Sequence, residues 1–129
     1  MDMLSYLAAL LLTILGVAHS VLGERLALGR LFRLPDLPKL AGSTLYMQRI
    51  LRVAWHVTSV AWLGLAGIVI LLAQPAVDVR AIRIAVGVTA LASFAVVLVG
   101  TRGKHRVAWA MFLVVSIIMF LLASGAPTA

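Results

Sequence analysis

The chain has 129 residues, of which 64% are hydrophobic and 12% charged, and its mean hydropathy is +1.14. A soluble domain of this length keeps most of its residues near the surface, so this composition excludes a soluble globular fold and favours a membrane protein. The net charge of +7 does not indicate nucleic-acid binding, because the basic residues are confined to short segments between apolar runs.

Four apolar runs follow one another along the chain, each of 18 to 24 residues. At a rise of about 1.5 Å per residue, helices of this length cross a hydrocarbon core of roughly 30 Å. The sequence therefore predicts one all-α domain over residues 1–129, an up-down bundle of four transmembrane helices. The predicted spans are 3–22, 50–73, 81–100 and 107–124. The first is expected to be retained, because it lacks the preceding basic segment of a cleaved signal peptide.

The connection between the first two spans is the longest, and it alternates basic with apolar residues over 24–34. This pattern predicts either a short amphipathic helix at the headgroup boundary or a cytoplasmic extension of the first helix. Pro35 and Pro38 are expected to end it, because proline cannot continue a helix cleanly. Ser43 or Thr44 is the expected cap of the second span.

Basic residues are distributed unevenly between the two sides of the predicted bundle. Nine Lys and Arg residues lie in the segments 23–52 and 101–106, against two, Arg80 and Arg83, on the opposite side. Positive loops stay in the cytoplasm, so both termini are predicted to be extracytoplasmic, and a bacterial inner membrane is the expected location. The expected partners are anionic lipids of the bilayer together with further copies of the chain or a second membrane protein; nucleic acid is not among them.

All three histidines lie near the cytoplasmic ends of the predicted spans. His19 precedes the end of the first span, His56 lies just inside the second, and His105 opens the fourth, with Glu24 just beyond the first. Ionisable groups at this depth are costly, so such a layer predicts a functional site. Imidazole and carboxylate form a ligand set for a transition metal, and two facing imidazoles can instead hold haem. These four residues are the predicted metal ligands.

Arg49, Arg52 and His56 share one face of the second span, at spacings of three and four. The two arginines are expected to supply positive charge at the mouth of the site, where they would pair with haem propionates or hold an anionic head group, with Trp109 as an aromatic neighbour. A simpler interpretation makes the arginines topology anchors that contact lipid phosphate, and each histidine an interfacial hydrogen-bonding residue.

Motifs that would fix a reaction class are absent from the sequence. It has no cysteine, no H-E-x-x-H, no glycine-rich phosphate loop and no Ser–His–Asp set. A membrane enzyme would use His56 with Glu24 as its acid–base pair. The composition also suits an accessory subunit of a larger membrane complex or a small proton-coupled transporter, although the midplane offers only hydroxyls and glycines.

Three segments carry a family resemblance: HSVLGER at 19–25, RVAWHVTS at 52–59 and RGKHRVAW at 102–109. Together they resemble an uncharacterised family of small bacterial proteins with four transmembrane helices. The resemblance covers most of the chain. It implies the four-helix architecture and points at His19, Glu24, His56 and His105, but it implies no chemistry.

Overall fold

The protein is all-α in a computed structural model that describes residues 3–125. Helix α1 (Met3–Leu22) continues through a π-helical segment (Gly23–Leu28) into the short α2 (Gly29–Leu31). The remaining helices are α3 (Thr44–Leu72), α4 (Val79–Gly100) and α5 (Arg106–Ser124). Four helices are long and apolar enough to cross a membrane: the continuous helix Met3–Leu31, α3, α4 and α5.

The helix that covers the first apolar run does not stop at Leu22. It extends to Leu31, which agrees with the predicted extension of the first helix rather than with a separate amphipathic helix. Helix α3 begins at Thr44 instead of Ile50, because Ser43 caps it: the Ser43 hydroxyl accepts a hydrogen bond from the Tyr46 backbone N–H at 3.2 Å. The predicted cap is thus confirmed.

The helices pack as neighbours in a row. Helix α1 contacts α3, α3 contacts α4, and α4 contacts α5. Within residues 3–125, no close backbone approach joins α1 to α4 or α5, or α3 to α5. Each long helix therefore has its close backbone contacts with its neighbours along the chain.

Large hydrophobic side chains dominate the outer surface of these helices. Leucine, isoleucine and valine side chains that are about half exposed occur along α1, α3, α4 and α5. Such a surface is stable where lipid, not water, is the solvent. It fits a protein that lies within a membrane. The chain ends, including Asp2, lie outside the described residues.

The connection between α4 and α5 is a tight turn built around Thr101, whose side chain is completely buried. Its hydroxyl donates to the Val97 carbonyl at 2.7 Å, and Gly103, with φ of +73°, donates its backbone N–H to the Leu98 carbonyl. A glycine satisfies the left-handed conformation that this helix ending requires. The turn brings Lys104 beside Ser43, Tyr46 and Arg49. We call this end of the helices the basic end.

Candidate functional site

Four side chains from neighbouring helices form a continuous hydrogen-bonded chain near the basic end. The guanidinium of Arg52 contacts both carboxylate oxygens of Glu24, at 2.7 and 3.0 Å. The same carboxylate lies 3.3 Å from Nε2 of His56, whose Nδ1 lies 2.7 Å from the Ser20 hydroxyl. We call Ser20, Glu24, Arg52 and His56 the polar cluster.

The hydrogen-bond partners of His56 indicate which ring nitrogen carries its proton. A carboxylate only accepts hydrogen bonds, so Nε2–H donates to Glu24, while Nδ1 shares a hydrogen bond with the Ser20 hydroxyl. Both nitrogens are therefore occupied. A metal ion would have to displace Ser20 or Glu24 before it could bind this imidazole.

The ion pair within the polar cluster is partly open to its surroundings. The side chains of Arg52 and Glu24 are 46% and 37% exposed, so the pair contributes little to stability by itself. Its two-pronged geometry instead fixes the direction of the guanidinium. The Phe32 ring, 5.1 Å from the guanidinium carbon, supports Arg52 further. The Nη1 group of Arg52 has no hydrogen-bond partner among residues 3–125.

His19 lies deeper than the polar cluster and is held by aromatic packing. Its ring stacks on Trp55 with centroids 4.5 Å apart and planes 4° apart, and Trp62 contacts it at 5.1 Å. Its Nδ1 lies 3.0 Å from the hydroxyl of Ser59, a buried residue. These contacts make His19 part of the α1–α3 packing, next to the polar cluster but outside its hydrogen-bonded chain.

The π-helical segment begins immediately after this packed region. A π turn shifts the backbone hydrogen bonds by one residue and is common at functional sites. Here the indole N–H of Trp55 donates to the His19 carbonyl at 2.8 Å, which satisfies an acceptor at the point where the hydrogen-bond pattern changes. Trp55 thereby joins α3 to the helix turn that carries Glu24.

Removal of the Trp55 indole N–H tests this role. We expect Trp55→Phe to lower the free energy of unfolding by about 1 kcal/mol, because the His19 carbonyl loses its donor while ring stacking is retained. Trp62→Phe is the matched control, since the Trp62 indole N–H has no hydrogen-bond partner among the described residues. Thermal unfolding in mild detergent compares the two; equal midpoints would contradict the assignment.

His105 and Trp109 lie away from the polar cluster. His105 borders a separate cavity of about 170 Å³ whose other lining residues are apolar. The Trp109 indole N–H donates to the Gly103 carbonyl at 3.2 Å, and its ring meets Phe94 edge-on at 6.0 Å. Trp109 therefore stabilises the turn between α4 and α5.

Of the four predicted metal ligands, the structure joins Glu24 and His56 and leaves His19 and His105 outside that contact. Within the part of the chain that is described, no group of three or more His, Asp or Glu side chains is placed to hold a metal ion. The predicted metal or haem site consequently gains no support from the geometry.

Two cavities at the basic end share Arg49. One, of about 350 Å³, opens between α3 and α4 and is bordered by Arg49, Arg52, His56 and apolar residues. The other, of about 340 Å³, is bordered by Arg49, Lys104, Ser43 and neighbouring residues. The half-buried Arg49 side chain has no hydrogen-bond or ion-pair partner in residues 3–125. An unpaired guanidinium between two cavities is a ready partner for an anion.

Comparisons with known proteins give no match: no family model fits the chain, and neither a curated protein nor a solved structure matches it. The resemblance of the segments 19–25, 52–59 and 102–109 to small four-helix membrane proteins stays a prediction. The geometry of the polar cluster and the basic cavities is therefore the basis for assigning a function.

Proposed function

We propose that this chain is an integral membrane protein that binds an anionic group at its basic end. The binding groups are the guanidinium groups of Arg49 and Arg52. The observation that carries the proposal is the unpaired Arg49 side chain, which borders one cavity together with Arg52 and His56. Two guanidinium groups provide the charge-assisted hydrogen bonds that phosphate or carboxylate oxygens require.

The polar cluster positions Arg52, one of the two binding groups. Glu24 holds Nε and Nη2 of Arg52 and leaves Nη1 for a ligand. Ser20 and Glu24 hold His56 by its two ring nitrogens. Since a pre-formed site loses less entropy on binding than a flexible one, this fixed arrangement favours ligand binding. The His/Glu pair thus has a supporting role in this proposal, beside the arginines that contact the ligand.

The proposed topology is up-down, with the basic end in the cytoplasm. Contacts between Tyr6 and Gln74, His19 and Ser59, and Glu24 and Arg52 support opposite directions for α1 and α3. The excess of Lys and Arg in the first and third connections supports the cytoplasmic side for this end. Both termini would then be extracytoplasmic.

A site at one end agrees better with binding than with transport. From Val60 to its end at Leu72, α3 has no charged, amide or hydroxyl side chain. A transport path normally requires polar groups near the bilayer midplane. The polar contacts at the basic end therefore favour a site that opens to one side of the membrane.

Pyrophosphate serves as a soluble probe of the anion site. At matched ionic strength, we expect pyrophosphate to raise the thermal unfolding midpoint of the detergent-solubilised protein above its value in chloride, because a ligand that binds the folded state stabilises it. In Arg49→Gln this increase should be much smaller, since the unpaired guanidinium is removed. Arg30→Gln is the matched control, because Arg30 is exposed and borders neither cavity. No stabilisation of the wild type, or equal stabilisation of both variants, would contradict the proposal.

A further inference from the structure

An apolar groove lies along the same two helices, α3 and α4, as the basic cavity. The groove has a volume of about 390 Å³ and lies farther from the basic end. Its lining consists of small and aliphatic residues together with one threonine: Val60, Leu63, Gly64, Gly67, Ala85, Val88, Thr89 and Ala92. The Thr89 hydroxyl donates to the Ala85 carbonyl of its own helix at 2.8 Å, so it is already satisfied.

The spacing of the lining residues places the cavity and the groove on one surface. On α3, His56 borders the cavity and Val60 borders the groove. On α4, Val96 borders the cavity and Ala92 borders the groove. Residues four apart lie on one helix face, about 6 Å apart along the axis. A ligand that leaves the cavity between these helices therefore meets the groove within one helical turn.

We propose that this surface binds one anionic phospholipid, with its phosphate at Arg49 and Arg52 and an acyl chain in the groove beside Gly67. This inference rests on the proposed anion site and names its ligand class. The combination of a basic cavity with an apolar extension matches a molecule that has a charged head and a long hydrocarbon tail. A soluble anion would fill the cavity and leave the groove unused.

Charge at the basic end favours an anionic over a zwitterionic lipid. Arg49, Arg52 and Lys104 border the two cavities, and Glu24 is the carboxylate paired with one of them, so the group carries two excess positive charges. Each Lys or Arg near a membrane surface contributes to the attraction of anionic lipid. Ser43 and Tyr46, in the second cavity, supply hydroxyls for the polar part of a head group.

The groove is open at Gly67. A Cβ atom built on this glycine meets no other atom within 4 Å, whereas one on Gly64 would overlap the Thr89 side chain. A side chain at residue 67 can therefore enter the groove without disturbing the α3–α4 contact. Because alanine and leucine favour helix more than glycine does, substitutions at this position fill the groove without weakening the helix.

Native mass spectrometry tests the inference. The protein is released from nanodiscs that contain equal amounts of phosphatidylglycerol and phosphatidylcholine with identical acyl chains. We expect the wild type to retain one phosphatidylglycerol molecule in preference to phosphatidylcholine. Arg49→Gln should reduce this preference about fivefold, the effect of one cation near a membrane surface. The series Gly67→Ala and Gly67→Leu should reduce lipid retention progressively, while Ala8→Leu, at an exposed position of α1 that borders neither the cavity nor the groove, should not.

The pyrophosphate assay separates failure of the lipid inference from failure of the anion site. Gly67→Leu should bind pyrophosphate as the wild type does, because the anion cavity is unchanged. If pyrophosphate binds through Arg49 but no phosphatidylglycerol is retained, or if the Gly67 variants retain it fully, the lipid inference is overturned and the anion site stands. If pyrophosphate does not bind and no lipid is retained, both are overturned.

Discussion

Gly23→Ala is expected to destabilise the protein strongly, although it adds only one methyl group. A Cβ atom at residue 23 would overlap the indole ring of Trp55. That ring cannot move away without breaking its stack on His19 and its hydrogen bond to the His19 carbonyl. Overpacking of this kind costs about 1–3 kcal/mol in the free energy of unfolding. Thermal unfolding in detergent should therefore show a clearly lower midpoint.

Gly67→Ala provides the matched control for this prediction. Both substitutions add the same atom to a helical glycine, but the new Cβ at residue 67 meets open space. Alanine also favours helix over glycine by roughly 1 kcal/mol, so this variant should be as stable as the wild type or more stable. If both variants unfold at the same temperature, the close contact between Gly23 and Trp55 does not support the α1–α3 interface.

Arg52→Gln is expected to weaken pyrophosphate binding more than Arg49→Gln does. Either substitution removes a guanidinium group from the cavity, but loss of Arg52 also leaves the Glu24 carboxylate without its cation. The exposed negative charge then repels the incoming anion. A charge-assisted hydrogen bond contributes about 1.5–3 kcal/mol, which corresponds to a loss of affinity of roughly tenfold to a hundredfold.

The double substitution Arg52→Gln with Glu24→Gln separates these two effects. It removes the same guanidinium without leaving an unpaired carboxylate, so it should recover part of the affinity that Arg52→Gln loses. Isothermal titration calorimetry measures the affinity for pyrophosphate of the wild type, the two single variants Arg52→Gln and Glu24→Gln, and the double variant. A double variant that binds no better than Arg52→Gln alone would contradict the proposed role of the ion pair.

The number and approximate position of the helices could be predicted from hydropathy, because each apolar run is as long as a membrane is thick. Their ends were less predictable. Helix α3 extends back to Thr44, since the Ser43 cap outweighs the polar composition of its first turns. The π-helical segment could not be predicted from the sequence, because its support comes from Trp55, which lies on another helix.

For the candidate site, the sequence predicted how deep the polar side chains lie but not the direction in which they point. The sequence placed all three histidines near one end, but depth along a helix does not determine which neighbour a side chain faces. Ser20 follows His19 in the sequence, but Ser20 contacts His56 of α3, whereas His19 contacts Ser59. His105 opens α5, whose close backbone contacts are with α4. The pairing of Glu24 with His56 was predicted as a possible acid–base pair, whereas the contact with Ser20 was missed.

The most direct test of the central claim is protection of Arg49 from a reagent specific for guanidinium groups. Detergent-solubilised protein is treated with phenylglyoxal, with and without pyrophosphate, and modification is quantified by peptide mass spectrometry. Because Arg49 lacks a partner among the described residues and borders two cavities, it should react in the free protein and be protected by pyrophosphate, while exposed Arg30 reacts equally in both samples. Equal modification of Arg49 in both samples would contradict an anion site at the basic end.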